Sequence, residues 1–134
     1  MKYWLMKSEP SVYAWAQLVK DKRTSWSGVR NYQANNNMKA MAIGDQAFFY
    51  HSNEERSIVG IMKIVKLWYL DPEDESEKFG MVDVAPLKPL KSPVSLATIK
   101  AHKSLKDMAF VRQGRLSVSP VTETEWHEIL HLGS

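Results

Sequence analysis

Cysteine is absent from all 134 residues, which rules out disulfides, thiolate nucleophiles and cysteine-ligated zinc, and fits a reducing, cytoplasmic setting. Long apolar runs are absent too. No stretch approaches the roughly 18 consecutive apolar residues of a membrane span, and Met1-Lys2-Tyr3-Trp4-Leu5 goes directly into a strand-like pattern, so neither a membrane partner nor a signal peptide is expected. Glycine is scarce, with 6 in the chain, and none falls in a phosphate-binding loop or a Gly-x-Ser-x-Gly elbow. Histidine is scarcer still, at 4; His127 and His131 stand four apart, but no third ligand lies near them, so no metal and no cofactor is expected. Repeats, linkers and low-complexity segments are also missing.

What remains is an ordinary globular composition: 44% hydrophobic and 25% charged residues, in a length that suits a single domain over residues 1–134. The net charge of +3 is too small to argue for a nucleic-acid partner, but its distribution is uneven. Lys20, Lys22, Arg23 and Arg30 face one local acid, Asp21, and Lys100, Lys103, Lys106, Arg112 and Arg115 face only Asp107. Asp71, Glu73, Asp74, Glu75 and Glu77 are opposed by Lys78. If the basic segments meet, they form a phosphate-facing side with the acidic loop elsewhere; otherwise they are separate solvated faces.

Lys2 to Lys7 reads as a first strand, and Ser8-Glu9-Pro10 as its stop, with Ser8 capping a helix over about Pro10 to Lys20. Tyr32, Ala34, Met38 and Met41 keep helical rhythm up to Gly44, and the costly Asn35-Asn36-Asn37 implies either fraying or amides kept for contact. Strands follow at Gln46–His51, Ile58–Leu70 and Met81–Pro86, joined by hairpin-length turns, and the acidic Asp71–Gly80 reads as a surface loop. Pro86, Pro89 and Pro93 confine the next stretch to an edge. Ser95 caps a short helix to His102, Leu116–Val121 is the last strand, and Thr122-Glu123-Thr124-Glu125 is a capping box that starts a final helix. The pattern is α+β: a strongly bent or closed sheet of about five to six mostly antiparallel strands with short flanking helices.

The stretch Ser25 to Asn36 carries the densest binding chemistry. Asn31 or Gln33 offers a donor and an acceptor side by side, suited to a base edge; Trp26 or Tyr32 is either a stacking platform or core; Arg30 suits a phosphate; Gly28 allows a tight turn. The polar, glycine-containing setting of Trp26, unlike those of Trp4 and Trp15, predicts that Trp26 can be removed without loss of the fold. His51 closes an aromatic strand beside Ser52 and Asn53, where an imidazole serves as a pocket-mouth hydrogen bonder or as a general base.

Six blocks in order resemble the EVE domain family: Trp4-Leu5-Met6-Lys7-Ser8-Glu9-Pro10, Trp26-Ser27-Gly28-Val29-Arg30-Asn31-Tyr32-Gln33-Ala34, Phe48-Phe49-Tyr50-His51-Ser52, Gly60-Ile61-Met62-Lys63-Ile64-Val65, Met81-Val82-Asp83-Val84 and Arg115-Leu116-Ser117-Val118-Ser119-Pro120. The resemblance implies a PUA-like bent β-barrel, related to the YTH and ASCH folds, that reads a modified cytosine or adenine in DNA or RNA without catalysis. It implies a base pocket of Ser8, Trp26, Gly28, Val29, Arg30, Asn31, Tyr32, His51 and Ser52, with Arg112, Gln113 and Arg115 on a phosphate-facing rim. Two positions depart from the family pattern: Ser27 where an acid is common, and Asn35 where Arg is common. The expected protein is a monomer that works beside a partner nuclease or helicase. The alternatives are an ASCH-like hydrolase of modified nucleosides, using His51 or a lysine, and a protein-interaction domain with a vestigial pocket.

Overall fold

The aromatic and β-branched runs become the centre of one sheet, and the helices cover its two faces. The computed structural model describes residues 1–134. The elements in order are β1 (Tyr3–Ser8), α1 (Trp15–Asp21), β2 (Thr24–Ser25), α2 (Tyr32–Lys39), β3 (Gln46–His51), β4 (Ser57–Leu70), β5 (Gly80–Ser95), α3 (Leu96–Ala101), α4 (Ala109–Arg112), β6 (Val118–Val121) and α5 (Glu123–Leu132). The strands lie in the order β2-β5-β4-β3-β1-β6. Only β1 and β3 run parallel, in register from Tyr3↔Gln46 to Ser8↔His51; every other pairing is antiparallel. The sheet does not close, so the expected barrel is barrel-like only. Register shifts at Phe49/Tyr50 and repeatedly between β4 and β5 supply the bend, because a bulge kinks its strand and increases local twist.

Alternation along the strands divides the core in two. Trp4, Met6, Phe49, Met62 and Val82 face Leu18 of α1 and Ala34 and Met38 of α2. Leu5, Phe48, Tyr50 and Ile58 face Ile99, Phe110, Trp126 and Ile129 of the later helices, with Trp126 stacked 3.8 Å from Phe48. A strand covered on both faces has no reason to alternate polar and apolar residues, which is why β3 is an unbroken buried run from Ala47 to His51.

Several local expectations need correction. Ser8 caps no helix; it pairs with His51 as the last residue of β1, and its hydroxyl donates to the Tyr13 carbonyl at 2.6 Å. Val12 and Tyr13 donate to the Glu9 carbonyl in a separate turn, and α1 begins only at Trp15. Its N-cap, Ala14, supplies no side chain, and the imidazole of His51 accepts the Trp15 N–H at 3.0 Å in its place. Gly60 makes room for the Trp15 ring, since a Cβ there would lie 2.6 Å from it. Asn31 caps α2 through the Ala34 N–H, and the helix stops at Lys39, short of Gly44. The asparagines are contacts and not a frayed turn. Buried Asn35 accepts from Trp68 Nε1 at 2.8 Å and from the Gly80 N–H at 3.0 Å while donating to the Lys78 carbonyl, and Asn37 donates to the Val118 carbonyl. Position 35 is thus a buried hydrogen-bonding site in this chain and not a surface contact.

The proline-bearing stretch is part of β5, which tolerates it because its outer side pairs only with β2, at Asp83 and Val84. The Ser95 cap and the Thr122/Glu125 capping box stand as expected. Helix α4 has no counterpart in the sequence pattern, and β6 begins at Val118 and not at Leu116. The acidic segment is not elsewhere. Its first residue, Asp71, is buried against the Trp26–Arg30 loop.

Candidate nucleic-acid interface

The loop after β2 is held at several points. Trp26 N–H donates to the Val82 carbonyl at 2.8 Å, Gly28 turns at φ +82°, and its N–H donates to Asp71 Oδ2 at 3.0 Å. Arg30 Nη1 shares that oxygen at 3.1 Å, and the Glu73 N–H donates to Oδ1. Burial alone would push the Asp71 carboxyl up, but the Gly28 and Glu73 N–H groups and the Arg30 guanidinium outweigh it and hold the carboxyl below the usual range. Position 28 needs glycine for its backbone conformation, since the space a Cβ would occupy is open.

A cleft of about 510 Å³ opens between this loop and the end of β1, lined by Lys7, Ser8, Glu9, Val12, Tyr13 and residues 24–28. That volume lies within the range of small-ligand sites. Trp26 walls it but is only 7% exposed, packed edge-to-face on Phe49 at 5.4 Å, so it belongs to the core and the prediction of a dispensable ring is corrected.

Ser25 offers the cleft a defined polarity. Tyr69 Oη stands 2.5 Å from Asp83 Oδ1 and 2.9 Å from Ser25 Oγ, and Arg23 pairs with the other Asp83 oxygen at 3.0 Å. Burial opposes ionisation of Asp83, but hydrogen bonds from Tyr69, Ser25 and Arg23 outweigh it and hold the carboxyl below its ordinary value. An ionised carboxylate only accepts. Tyr69 must therefore donate to Asp83, the Ser25 hydroxyl points its proton into this pair, and the lone pairs of Ser25 are left for a donor in the cleft.

Of the residues expected in the pocket, the structure brings Ser8, Trp26 and Gly28 to the cleft wall. Val29 is buried in the core at 6% exposure, Asn31 is the α2 cap, Arg30 is held by Asp71, and Tyr32 lies 61% exposed against Phe79. His51 is buried: Nε2 accepts from Trp15, so the proton sits on Nδ1, with the Glu55 carboxylate 2.5 Å away. Ser52 lines a separate hollow. On the expected rim, Arg112 and Gln113 line another hollow of about 630 Å³ together with the carboxylates of Asp107 and Glu125; it is larger than the cleft but has no aromatic wall. Arg115 is exposed on the loop between α4 and β6. Sequence reasoning missed Lys7, Glu9, Val12, Tyr13 and Thr24 as cleft residues. Thr24 lies on a two-residue strand that carries no periodicity, and the turn over 9–13 has the capping and spacing signals of a helix.

A bent sheet with helices on both faces and an open cleft at strand ends defines a small recognition domain. The EVE domain model matches residues 2–132, and the chain belongs to that family. Human thymocyte nuclear protein 1 is 37% identical over 97% of this chain and 73% of its own length. A protein of Rhodopseudomonas palustris solved by NMR is 50% identical, with a TM-score of 0.93 over 99% of this chain and 93% of that one. The human THYN1 protein, solved in complex with 5-methylcytosine-containing DNA, is 38% identical with a TM-score of 0.89, covering 100% of this chain and 98% of that one.

Proposed function

We propose that this domain reads a modified, amino-bearing nucleobase in DNA, with 5-methylcytosine the first candidate, and performs no chemical step on it. The observation that carries the reading is the cleft between Ser8 and Gly28, in which Trp26 forms an apolar wall and Ser25 keeps its lone pairs toward a donor. An exocyclic amine, as on cytosine or adenine, is such a donor. The relative that shares this fold and binds 5-methylcytosine-containing DNA supports it. A methyl group in an apolar niche adds about 0.8 kcal/mol, so discrimination from the plain base should be about fourfold unless a polar contact rejects the latter. The non-catalytic part rests on His51, whose ring is committed to Trp15 on one side and turned to Glu55 on the other. We take the domain to act as a monomer beside a separate effector such as a nuclease or helicase.

Titrating the chain with single-stranded and duplex oligonucleotides carrying cytosine or 5-methylcytosine tests the reading. Tighter binding of the modified strand is expected, and Ser25→Ala should weaken both by about threefold to tenfold, one hydrogen bond's worth. Equal affinity for both strands in the wild type, together with no effect of Ser25→Ala, would overturn it.

A further inference from the structure

Beside the cleft, and sharing Lys7 with it as a common wall, lies a second hollow of about 290 Å³ bounded by Tyr50, Ser52, Asn53, Arg56, Lys100 and, from the α4 side, Phe110, Val111 and Gly114. We propose that this hollow is a phosphate subsite, which takes the backbone phosphate next to the base held in the cleft; as a strand path it rests on the base-reading proposal.

Three cations, Lys7, Arg56 and Lys100, line it, and no carboxylate does. None of the three has an acidic partner within salt-bridge distance, whereas Arg23 and Arg30 are both paired. Glu55, on the same turn as Arg56, is directed to His51. Lys7 is the most telling of the three. Its ammonium is half-buried, donates to the Gly114 carbonyl at 2.8 Å and stands 5.9 Å and 5.7 Å from the Tyr50 and Phe110 ring centres. One carbonyl and two ring faces compensate a partly desolvated cation poorly, and burial lowers its pKa accordingly. An anion with several oxygens would supply what is missing. The Arg56 fork, the ammonium groups of Lys7 and Lys100, and the Asn53 and Ser52 side chains surround the space with donors suited to phosphate oxygens. Because Lys7 bounds both hollows, a strand that leaves its base in the cleft passes directly over this one.

The test uses the full chain, a 5-methylcytosine oligonucleotide, its unmodified counterpart and the free nucleoside 5-methyldeoxycytidine, with affinities measured across a salt series. Arg56→Ala/Lys100→Ala is the first variant, since both side chains are exposed, with circular dichroism to confirm that the β3–β4 turn, where Arg56 Nε donates to the Asn53 carbonyl, leaves the fold intact; Lys7→Met is the second. The double variant should bind both oligonucleotides about tenfold more weakly at low salt and flatten the log–log salt slope by about 0.7–0.9 for each phosphate that the protein no longer neutralises. Nucleoside affinity should stay at the wild-type value in the double variant. An unchanged slope in both variants, or no salt-dependent oligonucleotide binding by the wild type, overturns the subsite. Loss of modified-base preference with the slope effect intact would count against base reading and leave the phosphate subsite supported.

Discussion

Replacing His51 with alanine should weaken the fold far more than it weakens base recognition. Two contributions can be worked from the structure. The Trp15 N–H, the first of the α1 donors, loses its only side-chain acceptor at 3.0 Å, and an unsatisfied donor at a partly buried position costs about 1 kcal/mol or more. The imidazole also meets the Phe49 ring edge-to-face at 5.4 Å and 83°, an interaction worth about 1 kcal/mol beyond its area. Together these predict a loss of about 2–3 kcal/mol in urea unfolding, which for a chain of this length lowers the melting midpoint by about 10 °C. His51→Gln, whose amide oxygen can accept from Trp15, should recover part of the loss. Nucleobase affinity should change by less than about threefold, through a looser α1 side of the cleft. Mass spectrometry of wild-type reactions with acetylated, methylated and hydroxymethylated nucleosides should show no product. A stable His51→Ala that abolishes binding, or turnover that disappears in His51→Gln, would refute the assignment of this histidine as a helix cap.

Trp26→Ala should cost about 3–5 kcal/mol by chemical denaturation, because the ring is 7% exposed and packs on Phe49; a variant as stable as wild type would mean the ring is a free platform after all. Asn35→Ala strands the donors of Trp68 and Gly80 and the Lys78 carbonyl, and should cost about 3 kcal/mol or more, with hydrogen exchange rising where β4 meets β5; protection unchanged from wild type would count against it. The Asp71 clamp sets a pH limit. Its folded carboxyl titrates below the roughly 3.9 of an unfolded aspartate, so the stabilisation is complete above that value and is lost as pH falls through the lower folded value. The Gly28 amide resonance should therefore hold its shift down to about pH 4 and move only below it; movement at pH 5 or above would show that Asp71 does not hold the loop.

The strands were legible because their residues must satisfy a local rule: β3, β4 and the start of β5 are aromatic and β-branched, and Thr122 with Glu125 caps α5 within four residues of sequence. Features that depend on partners far away in sequence were not. The stop at Ser8-Glu9-Pro10 looks like a helix start, but pairing of β1 with β3 carries the strand through Ser8, and the true start of α1 takes its cap from a residue 36 positions later. Asn35 looks like a helix liability until the Trp68 and Gly80 N–H groups that it satisfies are placed beside it. The candidate site suffered in the same way. Polar side chains in the Ser25–Asn36 stretch could be counted, but only the fold shows that Asn31 and Arg30 are engaged in shaping the loop, while Ser25 and Lys7 line a cavity with hydrogen-bonding capacity to spare.

Charge is where this distinction matters most for function. A basic run attracts phosphate only through the cations that remain after intramolecular pairing, and two arginines of the 20–30 segment are taken up by acids 60 and 41 residues away in sequence. The Arg23–Asp83 pair orients the Tyr69–Ser25 hydroxyls, and the Arg30–Asp71 pair fixes the Gly28 turn, so both pairs shape the cleft and neither adds to its long-range attraction. Attraction is left to cations without acids, and three of these, at the end of β1, on the β3–β4 turn and on α3, line one hollow beside the cleft. Shape and attraction are thus divided between two sets of residues that meet at Lys7. Changing the paired arginines should alter which base is held, and changing the unpaired cations should alter how strongly any strand is held.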